Sequence, residues 1–206
     1  MSSATRPRGA ARRAALLEAV LEIVAQAGPE AVTHRRVAEV AELPLASTTY
    51  WFASKDELLA AALAHAAQRD IARLRAAAAE LAARPCSRAQ LADALVALII
   101  APLEEGLRDS RSALIAAYSL WFEAARRPAL QAIARAWTAA YRETAAQLLA
   151  RAGCAQPDGD AAILIGAADG LLMAELAGGE SGALRPRLRR LVRALLERPA
   201  AESRRR

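Results

Sequence analysis

Apolar residues recur at helical spacing along almost the whole chain, and Gly, Pro and N-capping residues separate the periodic stretches. The first stretch puts Leu17, Val20, Leu21 and Val24 on one helix face. No internal repeat is visible, and Pro102 is expected to kink or end the helix that contains it. The pattern predicts helices at about 10–27, 33–41, 44–52, 54–84, 87–107, 112–127, 128–152, 158–177 and 184–197.

The composition supports an all-α fold. Hydrophobic residues make up 55% of the chain but aromatic residues only 4%, and alanine supplies most of the difference. Alanine is the best helix former, which argues against sandwiches and barrels. This hydrophobicity excludes a disordered chain, and two isolated cysteines exclude a disulfide scaffold. We expect Cys86 and Cys154 to be free thiols.

The chain carries no predicted address outside the cytoplasm. Residues 1–13 contain four arginines and no apolar stretch, unlike a secretory signal. The apolar run 94–103 is too short to cross a bilayer, and Asp169 interrupts the run 161–174. The sequence therefore predicts a soluble, cytoplasmic protein that does not bind a membrane.

The segment 33–59 has the pattern of a helix-turn-helix, because only Glu42-Leu43-Pro44 separate two short predicted helices. Tyr50 is expected to be exposed. Ser54 and Glu57 form a capping box that begins the next, long helix. The residues expected to pack inward, against the predicted helix at 10–27, are Val37, Ala38, Ala41, Leu43, Thr48 and Phe52.

This segment resembles the tetracycline-repressor (TetR) family of bacterial transcriptional regulators, and the similarity in length and order extends over the whole chain. The chain differs in having Glu42 where the family commonly has glycine, Pro44 in place of a serine cap, and its tyrosine at position 50 instead of 49. The elements that carry the resemblance are Thr33, Val37-Ala38, Tyr50-Trp51-Phe52 and Ser54-Lys55-Asp56-Glu57-Leu58.

The resemblance implies two functional domains and a homodimer on double-stranded operator DNA. Residues 1–56 would form a three-helix DNA-binding domain with a disordered basic arm at about 1–9. Residues 57–198 would form the larger helical ligand-binding and dimerisation domain, followed by a disordered tail at 199–206. The dimer would use the helices at 128–152 and 158–177, in which Gly166 and Gly170 allow close helix approach.

The residue types in the motif fit contacts to DNA. Thr33, His34, Arg35 and Arg36 are placed at a helix start to reach phosphates or, for Arg35, a guanine edge. Lys55 is the chain's only lysine and stands where the family contacts a phosphate. The remaining candidates, on the second helix, are Leu45, Ala46, Ser47, Thr49, Tyr50 and Trp51.

The net charge adds little to this argument. The whole chain carries +6, but residues 1–56 hold seven basic and six acidic residues, a net of +1. Residues 185–206 hold nine arginines against two glutamates, a net of +7. The charge excess is therefore not by itself the footprint of DNA binding.

A ligand pocket is predicted between the central helices, because five of the eight aromatic residues lie there at helical spacing. An ordinary core or dimer contact is the alternative. The ligand would be small and hydrophobic, and a buried acid among Glu104, Glu105, Glu123 and Asp169 would favour a cationic one. The predicted lining is Leu95, Leu98, Ile99, Tyr118, Trp121, Phe122, Trp137, Tyr141 and Asp169.

An enzyme is not expected, because the chain has no phosphate-binding glycine loop and no cluster with metal-ligand spacing. His34 and His65 lie far apart in the sequence, and no metal or other cofactor is predicted. The expected function is a repressor that a ligand releases from its operator, controlling an efflux or metabolic gene. The alternatives are an activator and a helical small-molecule-binding module without DNA activity.

Overall fold

The structure is a computed structural model that describes residues 5–178 and 182–198. Within these residues the chain is helical and contains no strand, which confirms the all-α prediction. A 3-10 turn, Pro29–Ala31, was not predicted. The α-helices are α1 (Thr5–Ala27), α2 (His34–Val40), α3 (Leu45–Trp51), α4 (Lys55–Ala82), α5 (Arg88–Asp109), α6 (Arg111–Glu123), α7 (Pro128–Arg151), α8 (Pro157–Leu176) and α9 (Leu184–Glu197).

Several predicted helix boundaries differ from the observed ones, and the helix predicted at 112–127 ends at Glu123. Helix α1 begins at Thr5, so the described part of the predicted arm at 1–9 is helical and not disordered. Helix α5 continues through Pro102 to Asp109, so the proline does not end it. The predicted tail at 199–206 lies outside the described residues.

Among the helices that the structure describes, none is long and apolar enough to span a membrane. The described residues likewise contain no group of His, Cys, Asp and Glu side chains that could hold a metal ion.

The chain divides into two compact units, Met1–Arg69 with Asp109–Trp137, and Asp70–Arg108 with Thr138–Arg206. This division differs from the predicted one at residue 56, because α6 packs along α1 in the first unit. Ala116 and Leu120 of α6 share one buried core with Leu17 and Val20 of α1. The functional division into residues 1–56 and 57–198 stays a prediction.

Each unit has its own buried apolar residues. In the first unit, Leu58 and Leu63 of α4 are fully buried in the core that contains α1 and α6. In the second unit, α8 packs against α9, and Leu164, Leu172 and Leu188 are fully buried. Burial of a leucine side chain stabilises a fold by about 1.5–3 kcal/mol, so these residues hold the scaffold on which the site is built.

The turn between α2 and α3 has the hydrogen bonds of a Schellman motif. The Leu43 N–H donates to the Ala38 carbonyl at 2.9 Å, and the Glu42 N–H donates to the Glu39 carbonyl at 3.2 Å. In this motif the residue after the C-cap adopts the left-handed conformation, and Glu42 at that position has φ 52°. Glycine is favoured there, since it has no Cβ to clash. The departure from the family at position 42 is therefore a strained one.

Replacing Glu42 by glycine should raise the free energy of unfolding by about 0.5–1 kcal/mol, because the left-handed conformation costs a non-glycine residue about 1 kcal/mol or more. Chemical denaturation of both proteins measures the difference. Glu42→Ala is the matched control and should give no gain, since alanine keeps the Cβ. An equal gain from both variants would show that loss of the charge is responsible.

Candidate nucleic-acid interface

Helix α2 begins at a side-chain cap. The Thr33 Oγ1 accepts a hydrogen bond from the Arg36 N–H at 3.2 Å, which satisfies one of the unpaired amides of the first turn. Thr33 itself is exposed. The predicted cap is thereby confirmed, and it fixes the point at which α2 begins.

Helix α3 has one buried and one exposed face. Thr48 is fully buried and its Oγ1 donates to the Leu45 carbonyl at 2.8 Å, and Phe52 is buried in the core of the first unit. Ser47 is half-buried, and the Tyr50 side chain is 79% exposed. The exposed face consists of Leu45, Ala46, Thr49, Tyr50 and Trp51.

The end of α3 is held by the first turns of α1. A Cβ placed on Gly9 would lie 3.7 Å from the Trp51 ring, and the Arg13 guanidinium lies 5.5 Å from the centre of the Phe52 ring. Tyr50 and Trp51 pack edge to face, with ring centres 5.1 Å apart. Tyr50 is the most exposed aromatic residue that the structure describes.

The basic residues of α2 are placed differently from one another. The Arg35 side chain is 85% exposed, and its Nε donates to Glu39 at 3.0 Å. Arg36 and His34 are half-buried, and the Nδ1 of His34 is buried without a hydrogen-bond partner. Arg35 is therefore the cation of α2 that is best placed to reach an external group.

The start of α4 has the Ser54 half of the predicted capping box, whereas the Glu57 carboxylate bonds one residue before the N-cap. The Ser54 Oγ accepts from the Glu57 N–H at 3.2 Å, and the Glu57 carboxylate accepts from the Ala53 N–H at 2.7 Å. The side chain of the next residue, Lys55, is bonded to the 3-10 turn. Its Nζ donates to the carbonyl of Glu30 at 2.9 Å and to the carboxylate of Glu30 at 3.1 Å.

Arg127, between α6 and α7, joins this pair to a larger set of charges. Its guanidinium donates to Glu30 at 2.7 Å, to Asp56 at 2.7 Å and to Glu123 at 3.0 Å. Glu123 is only 5% exposed and also accepts from Arg126. Burial would raise the pKa of Glu123, but the two arginines outweigh it and hold that pKa below its usual value. Glu123 is thus a charged group that is paired with two arginines of the same connection.

Sequence reasoning missed Arg127 and Glu30 as parts of this surface. The two residues are 97 positions apart in the sequence, so no local pattern pairs them. Only the packing of α6 on α1 and on the 3-10 turn brings them together.

The predicted ligand lining is divided between the two units. Tyr118, Trp121, Phe122 and Trp137 belong to the first unit, where Trp121 and Trp137 pack against its core and Phe122 is 54% exposed. The second unit contains Leu95, Leu98, Ile99, Tyr141 and Asp169. Whether these residues bind a ligand stays a prediction.

In the second unit, Tyr141 is part of a polar cluster that includes a residue not singled out from the sequence. The Tyr141 hydroxyl donates to Asp70 at 2.7 Å, and Arg73 donates to the other oxygen of Asp70. Burial and the nearby charges of Asp70 and Asp169 raise the pKa of Tyr141 well above its usual value, so the phenol stays protonated. Glu105 of α5 pairs with Arg73 of α4 at 3.4 Å. With Tyr141 of α7 and Asp169 of α8, four helices contribute charged or polar groups to this cluster.

Helix α8 exposes a stripe of small and apolar residues. Ile163 is 52% exposed, and a Cβ added at Gly159, Gly166 or Gly170 would meet no atom within 4 Å. A glycine inside a helix is less favourable than alanine by about 1 kcal/mol, and no contact within the described part of the chain requires its small size here. With Ala174, these residues follow helical spacing on one face.

Comparisons with known proteins identify the family. Residues 86–198 match the family model of the tetracyclin repressor-like C-terminal domain. No curated protein matches the sequence. Among solved structures, a TetR-family member (SCO1917) from Streptomyces coelicolor A3 is 32% identical, with 87% of this chain and 97% of that chain covered and a TM-score of 0.66.

Two further structures are similar over most of their length. The multidrug binding protein EbrR in complex with malachite green is 30% identical, with 89% of this chain and 97% of that chain covered and a TM-score of 0.68. A transcriptional regulator (RHA1_ro04179) from Rhodococcus sp. Rha1 is 25% identical, with 89% and 95% covered and a TM-score of 0.74.

The α2–α3 geometry, the matched C-terminal domain and the similar structures agree with one another. The chain belongs to the TetR family of transcriptional regulators.

Proposed function

We propose that the chain is a dimeric repressor that binds a near-palindromic operator and is released by a small ligand. The observation that carries this proposal is the exposed face of α3, which presents Thr49 and Tyr50, together with the exposed cation Arg35 on the preceding helix α2. A helix that follows a short turn and exposes mixed polar and apolar side chains is suited to the major groove.

A dimer is needed for such recognition. Two copies of α3 must enter successive major grooves about 34–36 Å apart, which one chain alone cannot do. The predicted dimer helices, 128–152 and 158–177, include α8. Its exposed stripe supports this assignment, because the glycines would let a second helix approach closely.

A mobility-shift assay with the DNA upstream of the gene tests the proposal. We expect binding at nanomolar protein and a weaker, strongly salt-dependent shift with unrelated DNA. If no duplex binds even at low salt, the alternative of a ligand-binding module without DNA activity is favoured. Transcription from the same fragment in the presence of the protein separates a repressor from an activator.

We infer that the ligand is a hydrophobic cation, bound through Asp70 and Asp169 in the polar cluster of the second unit. Asp70 is mostly buried and accepts from Tyr141 and Arg73, and Asp169 lies close enough to affect Tyr141. Arg73 is half exposed, so a ligand cation can replace it on Asp70 without stranding a buried charge. The similar protein EbrR has been crystallised with ethidium and with malachite green, both of which are cationic dyes.

Replacing Asp70 by asparagine should weaken the binding of malachite green by about tenfold or more, because a charge-assisted contact in a shielded site is lost. Dye absorbance titration measures the affinity. Asp93→Asn, at an exposed position of α5, removes the same charge and should leave dye binding within twofold of the wild type. If both variants bind the dye like the wild type, the cation does not depend on Asp70.

The ligand acts on DNA binding only through its differential affinity for the two states of the dimer. A dye that lowers operator affinity must therefore bind the DNA-free form more tightly. A saturating dye that leaves operator affinity unchanged is not the inducer.

A further inference from the structure

Lys55 is held in place by two different oxygens of one residue. Its Nζ donates to the main-chain carbonyl of Glu30 at 2.9 Å and to the side-chain carboxylate at 3.1 Å. An ammonium has three N–H donors, so one remains for an external acceptor. Lys55 is 30% exposed, whereas the Glu30 side chain is 75% exposed. An anion that approaches Lys55 therefore meets the Glu30 carboxylate as well.

The Glu30 carboxylate is shared between two cations. One oxygen accepts from Lys55, and the other accepts from Arg127 at 2.7 Å. Lys55 and Arg127 together hold the pKa of Glu30 below its usual value, so Glu30 is charged at neutral pH. Arg127 also pairs with Asp56 and Glu123, which anchors it to the start of α4 and the end of α6.

We propose that Glu30 is an internal competitor of the operator phosphate for Lys55, and that Arg127 sets the strength of this competition. The proposal rests on the DNA-binding function proposed above. While Arg127 holds one oxygen of Glu30, part of the carboxylate charge is neutralised away from Lys55. When Arg127 withdraws, the whole charge falls on Lys55 and repels the phosphate.

Through this arrangement, a change in the connection between α6 and α7 alters the affinity for DNA without any movement of α3. Arg127 lies in that connection, whereas Lys55 lies at the first residue of α4. A shift of Arg127 changes the charge that the DNA meets, not the position of the recognition helix. The main-chain carbonyl of Glu30 keeps Lys55 in place whichever state the carboxylate adopts.

The test measures affinity by fluorescence anisotropy, with a labelled duplex that the wild-type chain has selected from a random library. Glu30→Gln should bind about fivefold more tightly, since an exposed ion pair is worth a factor of about two to five and each dimer contains the change twice. Arg127→Gln should bind about threefold more weakly or worse. The double variant should bind as tightly as Glu30→Gln alone, because no carboxylate remains to be shared.

Glu22→Gln is the matched control. It removes the same charge from an exposed position of the first unit, where Glu22 accepts only from Gln26 among the hydrogen bonds described, and should change affinity less than twofold. The gain of Glu30→Gln over this control should shrink as salt rises, because screening weakens exposed charges.

Equal affinities for Glu30→Gln and Glu22→Gln would overturn the inference while leaving DNA binding intact. A double variant that stays as weak as Arg127→Gln would also overturn it, since Arg127 would then act through the fold alone. If thermal melting shows that Arg127→Gln is unfolded, the comparison of Glu30→Gln with Glu22→Gln decides. If the wild type selects no duplex at all, the proposed function itself fails.

Discussion

Replacing Gly166 and Gly170 of α8 by glutamate should yield a folded monomer that has lost at least a hundredfold in operator affinity. A Cβ at either position meets no atom within 4 Å among the residues that the structure describes, so we expect a single chain to accommodate the new side chains. Glutamate is also a better helix former than glycine by about 0.5–1 kcal/mol per residue. The folded chain therefore keeps or gains stability.

The dimer is affected in the opposite direction. Two charged side chains per subunit would be placed where helices of two subunits approach closely, and burial of unpaired charges is strongly unfavourable. Loss of the dimer also removes the gain from binding two linked half-sites, which is commonly a factor of about a hundred or more. Analytical ultracentrifugation and the mobility shift report the two effects separately.

Ala72→Glu with Ala76→Glu is the matched control for this pair. The two alanines are exposed on α4 at the same spacing and receive the same charge. This variant should remain dimeric and bind DNA within a few-fold of the wild type. If the α8 variant is also dimeric and binds normally, the exposed stripe is not the dimer surface.

Replacing Arg35 and Lys55 together by alanine should abolish specific binding. A dimer carries each substitution twice, so four contacts worth about 1 kcal/mol apiece are lost, which weakens binding by about a thousandfold. The slope of the logarithm of affinity against the logarithm of salt concentration should also become shallower, because fewer counterions are released. A salt series of mobility shifts gives both quantities.

The fold should tolerate these two substitutions, because Arg35 is highly exposed and Lys55 makes an ion pair at the surface. Arg190→Ala with Arg193→Ala removes the same charge from exposed positions of α9, outside the predicted dimer helices, and serves as the control. If the two double variants bind equally well, the cations of the helix-turn-helix do not contact DNA.

Local features of the fold were predictable because their signals are local. Thr33 marks the start of α2 because its side chain accepts a hydrogen bond from the N–H only three residues along the chain. Phe52 follows the spacing that buries one face of α3, and the structure buries it. Tyr50, two residues earlier, was predicted to be exposed and is.

The contacts that join distant segments were not predictable. The packing of α6 on α1 depends on small residues such as Ala116, and an alanine-rich sequence offers many equivalent faces. Lys55 was correctly placed at the start of α4, but its pairing with Glu30 depends on the 3-10 turn, which has no clear signal in the sequence. Asp70 was likewise not predictable as a site residue, because it lies in the middle of a long helix and its hydrogen bond comes from Tyr141, 71 positions away.

Hydroxyl-radical footprinting of the wild-type protein on a selected operator is the most direct test of the account. We expect two symmetric protected regions whose centres lie about 34–36 Å apart, with the protection lost in the Arg35→Ala and Lys55→Ala double variant. A single protected region, or protection that follows no sequence, would contradict a dimer that reads DNA with two copies of α3.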